Sequence, residues 1–341
     1  MTARVLIIDD SALMRGLLEN ALVGSAGVEV LGTAKDAATA REAINKIRPN
    51  VLTLDIEMPG ISGLEFLEEI MATNPMPVIM VSTLTGPGTD STLKALELGA
   101  VDFIEKPVLR NTEERLEFKQ RLSQKVKLAS NARISKLMAP RPIRRERSSV
   151  ANGPKPSIIA IGASTGGVTA VKQVLECLPP NCSPVAIVQH MPANYTERFA
   201  ARLNASLPLN VKEAVHGETL LPGMVSLAPG GRHMSVLKSS TGFITMLSDE
   251  PPVASHRPSV DVFFNSVAKS AGRSALGIIL TGMGRDGADG LLNMRKSGAS
   301  TLGEAEESCV VYGMPKAAFQ IGAVTEQLPL AGLSDRVASL L

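Results

Sequence analysis

The feature that most constrains the fold is an alternation, along residues 4–106, of short apolar runs with helix-length segments. Runs rich in Val, Ile and Leu predict five β-strands, at residues 5–8, 28–31, 51–54, 78–81 and 101–104. The segments between them carry apolar residues three and four positions apart, which is the period of an amphipathic helix. Strand–helix units of this kind pack as a parallel sheet with helices on its faces. We therefore predict a doubly wound (βα)5 domain in the first part of the chain.

The same alternation returns after residue 157. Apolar runs predict further parallel strands, at residues 158–161, 184–188, 276–280 and 300–302. Between residues 207 and 247 the pattern changes to short alternating segments separated by Pro-Gly and Gly-Gly turn signals, which favour antiparallel hairpins. These segments cover residues 211–215, 224–228, 234–237 and 243–247. We predict a C-terminal α/β parallel-sheet domain with an antiparallel hairpin insertion.

Basic residues are concentrated between the two predicted domains. The 341 residues include 35 Lys and Arg against 33 Asp and Glu, and this net charge of +2 excludes a uniformly basic nucleic-acid binder. Residues 110–155 nevertheless hold thirteen Lys and Arg and only four Asp and Glu. Their second half is rich in Pro, Arg, Ser and Gly and has no aromatic residues for base stacking, so we interpret it as a linker that binds no nucleic acid. The predicted domains are 1–125 and 157–341, joined by a linker at 126–156.

No segment of the sequence predicts a membrane span or an export signal. No apolar run approaches the roughly 18 residues that a membrane helix needs. The first residues, Met-Thr-Ala-Arg-Val, lack the charged-then-apolar pattern of a signal peptide. Cys177, Cys182 and Cys309 lack C-x-x-C spacing, so neither a disulfide framework nor a zinc site is expected. We expect a cytoplasmic protein without membrane insertion.

Polar side chains follow four of the predicted strands of the first domain. Asp9 and Asp10 come directly after the first strand and Asp55 after the third, and these two strands are neighbours at the switch point of a doubly wound sheet. Converging carboxylates repel one another unless a hard divalent cation, most plausibly Mg²⁺, binds between them. Lys106 follows the fifth strand and Ser82 the fourth. This set predicts phosphoryl transfer onto Asp55, although a single carboxylate at such a position is as often a helix N-cap.

These positions also match a known family. The sequences Ile-Ile-Asp9-Asp10-Ser, Leu-Asp55-Ile-Glu-Met-Pro-Gly, Val-Ser82-Thr and Lys106-Pro107 resemble a response-regulator receiver domain over residues 1–125. The resemblance implies that a histidine kinase donates the phosphoryl group to Asp55. It also implies that Phe103 occupies the aromatic switch position, where an ordinary core phenylalanine is equally consistent with the sequence.

The second domain opens with a candidate nucleophile. Residues 162–166 read Gly-Ala-Ser-Thr-Gly and lie between a predicted strand and a predicted helix. In this G-x-S-x-G pattern the glycines permit a sharp turn that exposes the Ser164 hydroxyl at a helix N-terminus. A phosphate-binding loop uses similar geometry, but the Lys-Ser/Thr pair of a Walker A motif is absent from the segment.

A serine nucleophile needs a base and a group that orients the base. His190 follows the next predicted strand, so its side chain is expected at the same sheet edge. The remaining histidines lie in hairpin, turn or Pro-rich stretches that are not predicted to reach this edge, namely His216, His233 and His256. Asp286 follows another predicted strand and supplies the orienting carboxylate. Glycines around Met283 allow its backbone amide to point into the site as an oxyanion donor.

The same segment permits a different interpretation. Residues 282–287 form a G-x-G-x-x-G pattern between a strand and a helix, and Glu304 follows the next strand at a distance that suits a ribose hydroxyl. A dinucleotide-dependent enzyme is therefore an alternative. Asp286 and Asp289 argue against it, because they place negative charge at the helix end that would bind pyrophosphate.

Motifs along residues 157–325 resemble one family in the same order. They are Gly-Ala-Ser164-Thr-Gly-Gly, Val-Gln-His190-Met-Pro, Ala-Pro229-Gly-Gly-Arg-His233-Met, His256-Arg-Pro-Ser-Val-Asp, Leu-Thr-Gly-Met283-Gly-Arg-Asp286-Gly-Ala and Cys309-Val-Val-Tyr-Gly-Met-Pro. Together they resemble the catalytic domain of the chemotaxis protein-glutamate methylesterases, the CheB family. One departure is Gly-Glu-Ala-Glu at residues 303–306, where the family more usually has Ala-Gln-Asp-Glu.

The resemblance implies a serine hydrolase that demethylates glutamate methyl esters on methyl-accepting chemotaxis receptors, releases methanol and also deamidates receptor glutamines. It implies Ser164 as nucleophile, His190 as base, Asp286 as its orienter, the Met283 amide as oxyanion donor and Thr165 as a residue that helps position the base. No cofactor is implied for this hydrolase site.

The two-domain organisation leads to an expectation about control. The unphosphorylated first domain is expected to inhibit the Ser164 site, and phosphorylation by a chemotaxis histidine kinase is expected to relieve the inhibition. A receiver-linked transcriptional regulator is the non-enzymatic alternative, although no helix-turn-helix pattern follows residue 150.

Overall fold

The computed structural model describes residues 2–83, 86–107, 111–132, 134 and 155–341. The chain divides into two compact units, Met1–Pro142 and Ile143–Leu341. Most of the predicted linker, at 126–156, lies outside the described residues. No helix in the described part of the chain is long and apolar enough to cross a membrane.

The first unit is a five-stranded parallel sheet with the strand order β2-β1-β3-β4-β5. Its strands are β1 (Ala3–Ile8), β2 (Val28–Ala34), β3 (Val51–Asp55), β4 (Val78–Ser82) and β5 (Asp102–Glu105). Its helices are α1 (Ala12–Leu22), α2 (Ala37–Ile47), α3 (Gly63–Thr73), α4 (Gly86–Glu97) and α5 (Thr112–Ala129). This architecture confirms the predicted (βα)5 domain.

Local sequence signals explain where these elements begin. Side chains of Ser11, Asp36, Ser62 and Asn111 cap the first turns of α1, α2, α3 and α5 by accepting backbone N–H groups. Strands β3 and β4 are buried along their whole length, as expected for a parallel sheet covered on both faces. The order reverses between β1 and β3, which places a crevice at the carboxyl ends of these two strands.

The second unit contains a seven-stranded parallel sheet with the order β15-β14-β13-β6-β7-β10-β8. These strands are β6 (Ile158–Ala163), β7 (Val185–Gln189), β8 (Asn210–Glu213), β10 (Met224–Leu227), β13 (Ala275–Ile279), β14 (Ser300–Glu304) and β15 (Glu326–Leu328). The helices are α6 (Gly167–Glu176), α7 (Ala193–Ser206), α8 (Val260–Ala271), α9 (Ala288–Lys296), α10 (Met314–Gln320) and α11 (Leu330–Ser339), with a 3₁₀ turn at Gly272–Ser274.

A small antiparallel sheet of the order β11-β12-β9 forms the insertion. It consists of β9 (Thr219–Leu220), β11 (His233–Ser239) and β12 (Gly242–Ser248). The prediction that residues 211–215 and 224–228 form an antiparallel hairpin was wrong, because β8 and β10 pair in parallel within the main sheet. Residues 214–223 between them make a crossover that contains β9, and a crossover permits the parallel pairing that a tight turn forbids.

Helix α8 packs against the main sheet, α9 and β11. Its buried face includes Val260, Phe263, Phe264 and Val267, all fully inaccessible to solvent. The N-cap residue of α8, Ser259, donates a hydrogen bond to Asp286 in the loop that follows β13, so the helix N-terminus lies beside this loop. The fold thereby positions a helix end next to the carboxyl edge of the sheet.

Candidate active site

A cluster of carboxylates lies at the crevice of the first unit. One oxygen from each of Asp9, Asp10 and Asp55 falls within 4.8 Å of the others. Lys106 Nζ lies 2.7 Å from Asp55 Oδ2 and 3.5 Å from Asp9 Oδ2. Burial raises the pKa of both Asp9 and Asp55, and Lys106 offsets only part of that rise. The predicted convergence of these four residues is thus found in the structure.

The donor set of this cluster fits a hard divalent cation. Asp9 Oδ2 is buried and accepts no hydrogen bond from any described residue. Carboxylate oxygens at this spacing are the ligands that Mg²⁺ uses, and a bound cation would reverse the cost of burying them.

The two remaining residues predicted for the first unit, Ser82 and Phe103, are both buried. Ser82 ends β4 and is buried, and its hydroxyl lies 2.5 Å from Thr92 Oγ1. Phe103 lies in β5 and is 8 % exposed, with Lys125 Nζ 5.9 Å from its ring centroid.

In the second unit, the register of the sheet brings Ser164 and His190 to adjacent positions. The last paired residues of β6 and β7 are Ala163 and Gln189, so each candidate is the next residue after the pair. The His190 backbone N–H donates to the Ala163 carbonyl at 3.0 Å. Strand order changes direction at β6, because β7 follows on one side and β13 on the other. The two side chains therefore lie at the switch point, where open α/β sheets bind ligands.

The loop that carries Ser164 turns sharply into α6. Gly166 has the left-handed conformation, with φ of 79°, and is the N-cap of the helix. Ser164 is half-buried, and its hydroxyl has no hydrogen-bond partner among the residues that the structure describes. A Cβ on Gly282 would lie 2.8 Å from the Ser164 Cβ, so only glycine fits beside the serine. These features keep the hydroxyl available.

His190 is held by Asp286 through one ring nitrogen. His190 Nε2 lies 2.8 Å from Asp286 Oδ2. The other ring nitrogen, Nδ1, is buried and has no partner within the described ranges. A proton on Nε2 donated to the carboxylate leaves Nδ1 as an acceptor, which is the tautomer that a general base requires.

Asp286 is itself fixed by the N-terminus of α8. The residue is 2 % exposed, and its carboxylate accepts hydrogen bonds from Ser259 Oγ at 2.8 Å, the Val260 N–H at 2.7 Å and the Asp261 N–H at 3.0 Å. Burial alone would raise the pKa of this carboxyl. The hydrogen bonds and charge of His190, together with the helix amides, outweigh burial and lower the pKa to about 2. Asp286 is therefore ionised throughout the physiological range.

The predicted oxyanion donor lies in the loop after β13. The Met283 residue is half-buried, and its backbone N–H donates to no described residue. Thr165 follows Ser164 and accepts, through its carbonyl, a hydrogen bond from Thr281 Oγ1 at 3.0 Å. Both residues thus belong to the loops that border Ser164.

The structure adds one imidazole that the sequence did not predict at this edge. The rings of His256 and His190 stack with centroids 4.0 Å apart and planes 13° apart. Burial, followed by the electrostatic effect of the neighbouring His190 ring, lowers the pKa of His256 below its usual range. A neutral His256 therefore covers one face of His190. The one sequence signal for a role of His256 at this site was the motif His-Arg-Pro-Ser-Val-Asp at 256–261, which is among those that resemble the CheB family.

The other two histidines have structural contacts. His233 Nδ1 accepts from the Ser259 N–H at 3.2 Å, and its Nε2 lies 3.1 Å from the Pro251 carbonyl. His216 Nδ1 accepts from the Leu247 N–H at 3.1 Å. His233 therefore supports the segment that holds Asp286 but does not bond to the carboxylate itself.

The geometry disfavours the dinucleotide alternative. Glu304 is fully inaccessible, and its carboxylate accepts from the Thr281 N–H at 2.8 Å and from Ser308 Oγ at 3.0 Å. A ribose hydroxyl could not reach it. The Asp286 carboxylate is hydrogen-bonded to the N-terminus of α8 and to His190, and its negative charge lies in the loop where the dinucleotide alternative would place pyrophosphate.

Comparisons with known proteins place similar sequences over both units. Residues 159–337 match the family model described as CheB methylesterase, and residues 5–116 match the response regulator receiver domain. The protein-glutamate methylesterase/protein-glutamine glutaminase 3 of Burkholderia lata is 48% identical over 346 residues, which cover 99% of this chain and 95% of the relative. The corresponding enzyme 1 of Dechloromonas aromatica is 48% identical over 98% of this chain and 97% of its own length.

A solved structure is similar to the second unit. The crystal structure of the Thermotoga maritima CheB methylesterase catalytic domain matches with a TM-score of 0.53 and 34% sequence identity. The match covers 55% of this chain and 100% of that domain.

Proposed function

The chain belongs to the CheB methylesterase family, and from that membership we propose that it is a phosphorylation-activated protein-glutamate methylesterase that also deamidates receptor glutamines. The observation that carries the proposal is the state of His190. Its Nε2 is hydrogen-bonded to the buried Asp286 at 2.8 Å, and its Nδ1 is buried without a partner among the described residues. His190 and Ser164 each follow directly after the last residue pair of β6 and β7.

In the proposed reaction, Ser164 Oγ attacks the carbonyl carbon of a glutamate methyl ester, and His190 Nδ1 takes the hydroxyl proton. The tetrahedral intermediate collapses, and methanol leaves with the proton from His190. Water, deprotonated by the same nitrogen, then attacks the acyl-enzyme and releases glutamate and free Ser164. A glutamine side chain reacts by the same steps, with ammonia as the leaving group.

Charge that develops on the carbonyl oxygen needs a preorganised donor. The Met283 N–H suits this role because it donates to no described residue and lies in the loop beside Ser164. Asp286 stabilises the imidazolium that forms on His190. Thr165, whose carbonyl is fixed by Thr281, helps to position the base.

The first unit is proposed to receive a phosphoryl group on Asp55. Asp9, Asp10 and Asp55 are the residues that would hold Mg²⁺, which when bound neutralises charge on the transferred group. Lys106 and Ser82 are placed in this proposal on the phosphoryl oxygens, and the 2.7 Å contact of Lys106 with Asp55 supports that role.

The proposed function requires a phosphoryl donor and a methylated protein substrate. The proposed donor is a chemotaxis histidine kinase, which the receiver match supports. The proposed substrates are methyl-accepting chemotaxis receptors, and the relatives' names support reaction at protein glutamate methyl esters and glutamines. We propose a cytoplasmic location, because a kinase that uses ATP delivers its phosphoryl group there.

Methanol release from membranes that carry methylated receptors tests the proposed control. A small phosphodonor should increase the rate of the full chain, and Asp55→Asn should abolish that increase, since an amide cannot accept the phosphoryl group. Without a phosphodonor, the variant should stay at the low rate of the unphosphorylated chain, because it cannot leave the inhibited state. Asp102→Asn, also in the receiver sheet but bonded to Lys125, is the matched control and should retain activation. Activation that persists in Asp55→Asn would contradict the assignment of the acceptor.

A fragment of residues 155–341 tests inhibition by the first unit. The similar Thermotoga maritima catalytic domain was crystallised on its own, which supports independent folding of the fragment. We expect the fragment to release methanol faster than the unphosphorylated full chain, because removing the receiver removes the inhibited population. Rates should be compared at equal concentrations of active sites. Equal rates would reject inhibition by the receiver.

A further inference from the structure

A buried amide lies beneath the nucleophile and the base. Gln189 ends β7 and is 2 % exposed. Its Nε2 donates to the Ser164 carbonyl at 2.8 Å and to the His190 carbonyl at 3.2 Å. We propose that Gln189 is a positioning residue that fixes the Ser164 loop relative to the His190 loop during hydrolysis. This inference rests on the proposed function.

The orientation of the Gln189 amide follows from its partners. Two carbonyl oxygens can be satisfied only by the NH₂ end, which has two donors. The Oε1 end is consequently buried without a hydrogen-bond partner in the described part of the chain. Burying an unpaired oxygen costs free energy. The two hydrogen bonds from the NH₂ end offset this cost, and they join the Ser164 carbonyl to the His190 carbonyl.

The glycine pair after Ser164 makes room for this bridge. A Cβ on Gly167 would lie 2.0 Å from Gln189 Oε1 and 2.8 Å from the Ala163 Cβ. Any other residue at position 167 would displace the amide. Gly166 makes the turn, whereas Gly167 leaves the space that the Gln189 side chain occupies.

The bridge acts where the strand pairing stops. The pairing of β6 with β7 ends at Ala163 and Gln189. The last backbone hydrogen bond between them runs from the His190 N–H to the Ala163 carbonyl. The carbonyls of Ser164 and His190 lie beyond that point. The Ser164 carbonyl also accepts from the Gly167 N–H at 2.8 Å, but this bond is local to the turn. Gln189 supplies two side-chain bonds that join the two loops.

The expected consequence is a loss of rate without a loss of substrate binding. A displacement of about 1 Å between reacting groups can cost about 10²-fold in rate. Gln189→Met keeps the length of the side chain but removes both donors. We expect kcat to fall by about 10- to 100-fold, KM to stay within about twofold, and the rate of Ser164 labelling by a fluorophosphonate to fall in parallel with kcat.

Thr245→Val is the matched control. Thr245 is fully buried in β12 of the small sheet, and its hydroxyl donates to the Val215 carbonyl at 2.6 Å. A purely structural role for Gln189 predicts that both variants lose thermal stability and that kcat and labelling per folded molecule are unchanged in each. The positioning role predicts that only Gln189→Met loses kcat and labelling.

A second variant covers the case in which Gln189→Met does not fold. Gln189→Glu retains the shape of the side chain but directs a carboxylate oxygen at the two carbonyls, and it should show the same parallel loss. Wild-type rates of labelling and methanol release in any folded Gln189 variant would overturn the positioning role alone. A wild-type chain that neither labels at Ser164 nor releases methanol would instead overturn the proposed function, and the positioning role with it.

Discussion

Ser164→Ala should abolish methanol release, with kcat lowered by at least about 10³-fold. The hydroxyl is the only group of the protein that forms a covalent bond to the substrate carbon in the proposed mechanism. The residual rate would come from the oxyanion donor and from substrate binding. Because Ser164 Oγ has no hydrogen-bond partner among the described residues, its removal leaves no buried group unpaired. The free energy of unfolding should therefore hardly change.

The measurement compares methanol release and fluorophosphonate labelling of the phosphorylated full chain with those of the variant. Ser270→Ala is the matched control, because Ser270 lies in α8 and its hydroxyl donates to the Val236 carbonyl at 2.7 Å. The control should lose some stability but keep both activities. Labelling at another residue, or methanol release that survives Ser164→Ala, would exclude Ser164 as the nucleophile.

The positions of Ser164, His190 and Asp286 could be predicted because parallel strands end at one edge of the sheet. Each residue follows an apolar run, and the chemistry of each type is distinct. The same reasoning brought Asp9, Asp55 and Lys106 together in the first unit. Most residues of both candidate sites could therefore be predicted from their positions at the ends of predicted strands.

Contacts made from outside the strand ends could not be predicted in this way. His256 and the α8 N-terminus reach the site through tertiary packing, and no local period in the sequence specifies where a helix N-terminus points. The parallel pairing of β8 and β10 was missed for a related reason. Alternating segments and turn signals describe neighbours along the chain, whereas the crossover through β9 depends on a second sheet.

Asp286→Asn should lower kcat by about 10³- to 10⁴-fold. Asp286 accepts four hydrogen bonds, from His190, Ser259, Val260 and Asp261. An asparagine has a single acceptor oxygen, so its NH₂ group must face donors or donate to His190 Nε2. In the second case the imidazole proton moves to Nδ1, and this nitrogen, which takes the Ser164 proton in the proposed mechanism, can no longer do so. KM should change much less than kcat, because Asp286 is buried and has no contact with the substrate in the proposed mechanism.

Acid stability gives an independent measurement on the same variant. The folded-state pKa of Asp286 is about 2, below the ordinary value of 3.8, so the carboxylate stabilises the folded chain above pH 3.8, and this contribution disappears as the pH falls through about 2. The shift corresponds to about 2 kcal/mol at neutral pH. The difference in unfolding free energy between the wild type and Asp286→Asn should therefore be largest above pH 5 and should shrink between about pH 4 and pH 2. Asp289→Asn, at an exposed carboxylate paired with Arg285, should show almost no such pH dependence. If the difference in unfolding free energy between the wild type and Asp286→Asn did not depend on pH, the α8 N-terminus would not be stabilising the charged form of Asp286. The proposed stabilisation of the His190 imidazolium by that charge would then lose its support.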